Sequence, residues 1–140
     1  MSKKSFTLVE IMIVTGILVI LIGLAIPGIL RSHLVGQETR ALANLKTIMN
    51  ACNFYYINNG NVYPDSLSVL SGVNPSYLPA ELSDGNFQNY EFLYSLSSDG
   101  FTINANPTGM IKGRYFFVDE KGLIHARGGE PADENDEIVR

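Results

Sequence analysis

The sequence predicts an α+β fold, with one long N-terminal helix followed by a small antiparallel sheet. Three observations predict it. Residues 6–30, FTLVEIMIVTGILVILIGLAIPGIL, form an apolar run interrupted by one carboxylate, Glu10. Residues 31–59 carry apolar side chains at helical spacing, and from Tyr90 onward the spacing changes to two.

The apolar run comes first. Residues 11–30 contain no charged side chain, and as a helix they extend about 30 Å, the thickness of a bilayer's hydrocarbon core. The segment therefore reads as a membrane span that stays in the mature protein: it is too long for a secretory signal, and no small-x-small cleavage pattern follows it. Lys3 and Lys4 precede it, Arg31 and His33 follow it, and the charge bias places the N-terminus in the cytoplasm.

Glu10 is the anomaly in this run. A carboxylate within a membrane helix costs about 2.5 to 3.5 kcal/mol on insertion scales and normally has a partner. Near the end of the span it can snorkel to the interface. A cationic partner would arise if the chain were cut between Ser5 and Phe6, because the new amine would lie four residues before Glu10, about 6 Å along one helix face. An amine on a neighbouring subunit would serve equally.

Further along the span, Thr15 can return its hydroxyl to the helix backbone. Gly16 and Gly23, seven apart, lie near one face and allow close helix approach in lipid. Pro27 removes a backbone donor and opposes the carbonyl of Gly23, so Gly23 and Pro27 mark a candidate hinge.

From residue 31 the helix turns amphipathic. Leu34, Leu42, Leu45, Ile48, Met49, Cys52, Tyr55 and Tyr56 form the stripe expected to pack a sheet, with Gln37, Glu38, Arg40, Asn44, Lys46 and Asn50 between them. Asn59 and Gly60 are a helix stop. The predicted helix is about 80 Å long, against a mean of about 12 residues for helices in general.

Residues 60–89 read as a connecting loop punctuated by Pro64, Pro75 and Pro79, with a short helix through Leu67 and Leu70. Residues 90–127 read as four antiparallel strands: Tyr90, Phe92, Tyr94 and Leu96 alternate with polar residues, Ser98-Asp99-Gly100 turns into Phe101, Ile103 and Ala105, and residues 113–118 and 123–126 follow. Residues 128–140 carry Glu130, Asp133, Glu134, Asp136 and Glu137 and are expected to be a flexible acidic tail. Asp133, Asn135 and Glu137 alternate like the start of a calcium loop, yet the glycine turn and the later bidentate acid are missing, and no metal site or cofactor is assigned.

The remaining chain, about 110 residues, suffices for one modest core. A net charge of −4 argues against non-specific nucleic-acid binding. Cys52 is the single cysteine and forms no internal disulfide. His33 and His125 lie far apart without a triad or ligand pattern, and no phosphate-cradling glycine loop is present, so no enzyme is predicted.

The string KKSFTLVE, residues 3–10, resembles the processing motif of type IV prepilins and type II secretion pseudopilins: a basic leader ending in a small residue, then Phe-Thr-Leu-x-Glu and an apolar run. ANLKTIMNA at residues 43–51, then Tyr55-Tyr56 and Tyr63-Pro64, is similar to that family's second half-helix and loop. The resemblance implies a leader of residues 1–5, cleavage between Ser5 and Phe6 by a membrane prepilin peptidase, and methylation of the new Phe6 amine. It also implies a role for Glu10 in recruiting subunits, and loss of helix order around Gly23 and Pro27 in the filament. Its implied fold is a lollipop, and its implied partners are like subunits in a helical filament, the peptidase and an inner-membrane assembly platform. The implied location is the bacterial inner membrane, then an extracytoplasmic filament. Ser5 departs from the glycine usual before the cut. The missing C-terminal disulfide and the strands suit a pseudopilin, which in major forms binds calcium near the C-terminus, whereas IPGILRS at residues 26–32 looks more like a pilin. The competing expectation is a monomeric, unprocessed, membrane-anchored binding domain.

Overall fold

A computed structural model describes residues 5–110 and 113–139; Lys3 and Lys4 of the expected leader and Arg140 of the tail lie outside the described residues. The chain divides into two units, Met1–His33 and Leu34–Arg140, taken in turn below.

The first unit is helical from Leu8, the start of α1 (Leu8–Asn58). Its side chains from Phe6 through Leu30 are exposed along the whole run, and this is a helix long and apolar enough to cross a membrane. Thr15 Oγ donates to the Ile11 carbonyl at 2.8 Å, so its polar atom is satisfied within the helix. Pro27 lies inside α1, and the expected hinge at Gly23 and Pro27 is helical here. A proline removes one ladder bond while the turns on either side keep theirs.

In the second unit, the remainder of α1 packs a six-stranded antiparallel sheet whose spatial order follows the chain: β1 (Asn86–Phe87), β2 (Tyr90–Leu96), β3 (Phe101–Pro107), β4 (Tyr115–Asp119), β5 (Ile124–Arg127) and β6 (Glu137–Ile138). The α+β layout and the period-two segment are thus as the sequence predicts, with two short edge strands added. Residues 60–89 hold α2 (Leu67–Gly72), a 3-10 turn at Ala80–Leu82, and β1. Ala41, Leu45, Ile48 and Cys52 on α1 share one core with Phe92, Phe101, Ile103, Phe116 and Val118 of the sheet. Alternation on β3 places Phe101, Ile103, Ala105 and Pro107 inward without exception. Leu96, expected inward, is exposed where β2 ends.

Turn chemistry sets the registers. Ser97 N–H donates to the Gly100 carbonyl at 2.8 Å, closing the β2–β3 hairpin with Leu96 opposite Phe101. Gly122, at φ 80°, closes the β4–β5 turn on the Asp119 carbonyl at 3.1 Å.

Two expectations are corrected. The acidic tail, expected as irregular chain, carries a strand and specific contacts: β6 pairs with β5, the Asn104 amide donates to the Ala132 carbonyl at 3.1 Å, and Ala132 is buried. Arg127 holds Glu130 at 3.1 Å and Asp136 at 3.8 Å. A strand edge that needs partners, together with one cation among the acids, outweighs a composition that reads as disorder. Glu38, placed among the polar positions of α1, is buried. Its Oε1 accepts the Arg114 backbone N–H at 3.0 Å and its Oε2 the Arg114 Nε at 3.1 Å, which meets the demand of a buried carboxylate for hydrogen-bonded partners.

Candidate processing and assembly site

The site expected from the sequence is the stretch from Ser5 to Glu10. Ser5, Phe6 and Thr7 precede the helix and are exposed, Phe6 at 79%. The Ser5–Phe6 peptide bond therefore lies on accessible, non-helical backbone, the form a peptidase needs in order to thread a chain through its cleft.

Thr7 caps the helix that follows. Its hydroxyl accepts the Glu10 N–H at 3.2 Å, and the Glu10 carboxylate returns to the Thr7 N–H and hydroxyl, both at 2.9 Å. This is a reciprocal capping box, T-x-x-E, and it satisfies donors that the first turn would otherwise leave open. In the uncut chain α1 starts at Leu8, Phe6 precedes the helix, and the Glu10 carboxylate is held by Thr7. The signal for this cap is present in the sequence as Thr7-Leu8-Val9-Glu10.

Past the cap, open space surrounds Gly16, Gly23 and Gly28, where an added Cβ meets nothing within 4 Å. The exposed apolar wall thus runs unbroken along 11–30 on every side. On the part of α1 in the second unit, Val35, Ala43, Phe54 and Ile57 are exposed, together with Arg40 and Lys46. Thr39 and Thr47 turn their hydroxyls to the carbonyls of Val35 and Ala43 at 2.9 and 3.0 Å.

The other chemistry-bearing groups do not converge. Cys52 is buried, and burial pushes its thiol up to about 12, which keeps it protonated and inert near neutrality. His125 is buried, with Nδ1 2.9 Å from the Asp136 carbonyl. Asp133 and Asp136 hold a turn, through Asn135 N–H to Asp133 Oδ1 and Asp133 N–H to Asp136 Oδ2, both at 2.8 Å. Among the described residues, no group of three or more His, Cys, Asp or Glu is placed to hold a metal ion.

The chain matches no family model, no curated protein and no solved structure.

Proposed function

We propose that this chain is a prepilin-like structural subunit, cut between Ser5 and Phe6, methylated at the new amine and polymerised through its apolar helix into a type IV pilus or a type II secretion pseudopilus. The observation that carries the reading is the placement of the Ser5–Phe6 bond on exposed non-helical backbone, directly before a capped helix whose apolar wall is interrupted by Glu10 alone. The side chains of residues 6–30 are exposed among the described residues, and an apolar wall of this kind calls for cover by lipid or by other helices. Exchange of lipid for helix contacts gives little net apolar drive, so register falls to polar pairing, and Glu10 is the carboxylate available for it.

A second reading has its own support. The capping box already gives Glu10 partners within the chain, which is what an unprocessed, monomeric membrane anchor with an extracytoplasmic domain would need.

Co-expression with a prepilin peptidase and an assembly platform, followed by shearing and electron microscopy, separates them. The polymer reading expects filaments from the wild type and their loss in Glu10→Val with the membrane pool intact. A wild-type chain that is inserted and cut but never leaves the membrane fraction would favour the anchor.

A further inference from the structure

A cleft lies at the C-terminal end of α1, about 300 Å³ in volume, between that helix end and the β2–β3 hairpin. Its lining includes Tyr56, Val62, Tyr63, Leu96 and Asp99. The Tyr56 and Tyr63 rings stack with centroids 4.4 Å apart, and Tyr63 meets the fully buried Phe101 ring at 5.0 Å in a T-shaped contact, so the aromatic wall is anchored to the core. Val62 and Leu96 are large apolar side chains left exposed there.

The electrostatics of the cleft have one sign. Helix α1 ends beside it without a basic residue in its last turn, so the partial negative charge of the terminal carbonyls is not offset by a cation. Asp99 supplies a carboxylate to the lining, and the Glu120 side chain packs against Gly100, which also lines the cleft. Lys121, the neighbouring cation in sequence, is turned to Asp119 at 3.6 Å.

We infer that this cleft binds the cationic side chain of an arginine or lysine presented by a partner polypeptide. The ring pair offers the π surface that attracts a guanidinium or ammonium group. Asp99 offers a charge-assisted hydrogen bond, and Val62 and Leu96 cover the methylene stem. Asp99 is the one carboxylate in this lining, and among the described residues no group of three or more His, Cys, Asp or Glu is placed to hold a metal ion. The inference is independent of processing at Ser5, because every residue it uses lies in the second unit.

The test uses the full chain in nonionic detergent micelles, with ring-labelled tyrosines observed by NMR. The probe is acetyl-Gly-Arg-Gly-amide, with the citrulline peptide as its uncharged control and methylguanidinium as the stemless cation. The arginine peptide is expected to shift the Tyr56 and Tyr63 ring signals saturably and the citrulline peptide not to. Asp99→Asn is expected to weaken binding about fivefold, and Ser98→Lys, which brings a competing cation to the hairpin, to abolish it. Unshifted Tyr90 and Tyr94 signals confirm that each variant is folded. Equal binding of the citrulline peptide, equal binding by folded Asp99→Asn, or the absence of a saturable response would overturn the assignment. Methylguanidinium binding as tightly as the peptide would overturn the choice of a side chain as the occupant.

Discussion

Glu38 and Arg114, 76 positions apart in sequence, are joined twice: the carboxylate takes both the backbone N–H and the side-chain Nε of Arg114, at 3.0 and 3.1 Å. The Tyr90 hydroxyl donates to the Arg114 carbonyl at 2.9 Å, so the residue just before β4 is held from the helix on one side and from β2 on the other. Arg114 keeps 48% of its side chain exposed, and solvent screens much of the charge attraction. The hydrogen bonds to a buried acceptor are therefore the larger part of what Glu38 contributes.

Glu38→Ala removes both acceptors and strands the Arg114 N–H. The expected cost is about 2 kcal/mol of stability in the second unit. Glu38→Gln, which keeps an acceptor oxygen for one of the two bonds, is expected to lose less. Near-ultraviolet circular dichroism of the tyrosines during urea unfolding in micelles reads both.

The buried tyrosines make the second unit sensitive to alkali. Burial, and for Tyr90 the neighbouring Glu38, raise the Tyr90 and Tyr94 hydroxyls well above the ordinary value of 10.0. Both hydroxyls also donate, Tyr90 to Arg114 and Tyr94 to the Pro64 carbonyl at 2.6 Å, and a phenolate would lose those bonds. The folded state thus holds protons that the unfolded chain releases, so stability is full below the ordinary tyrosine value and falls as pH rises through it toward the native values. A phenolate absorbance titration is expected to show part of the tyrosine signal appearing only together with unfolding. Complete ionisation of all tyrosines with the circular dichroism unchanged would contradict this.

At the other end of the chain, Thr7→Val removes the hydroxyl that both accepts from Glu10 N–H and donates to its carboxylate. The first turn of α1 is expected to lose about 1 kcal/mol, seen as faster amide hydrogen exchange at residues 8–11 in micelles, with Thr7→Ser close to wild type. Unchanged exchange in the valine variant would show that the cap contributes nothing there.

Much of this architecture was legible in the sequence because periodicity reports burial directly. The stripe through Leu45, Ile48 and Cys52 and the alternation through Phe101, Ile103 and Ala105 each state which face meets the core, and Asp119 to Gly122 names its own turn. Glu38 was misread because a carboxylate at a helical core position looks like surface until its partner, far along the chain, is known. The tail was misread for a related reason: one arginine, one asparagine amide and a two-residue strand order it, and none of these alters its acidic composition. At the candidate site, Ser5, Phe6 and Glu10 carry the roles the motif implies, while Thr7, in the same motif, carries a cap that the motif does not name. The cap depends on where the helix starts, and helix starts are set by local hydrogen bonds more than by hydropathy.

Cleavage of the Ser5–Phe6 bond separates a filament subunit from an unprocessed membrane anchor. The most direct measurement is the intact mass and N-terminal sequence of the membrane-extracted chain, co-expressed with a prepilin peptidase, for wild type and Ser5→Gly. A wild-type chain beginning at N-methylated Phe6 is the predicted result; an intact leader in both proteins would contradict it and leave the unprocessed membrane anchor as the reading.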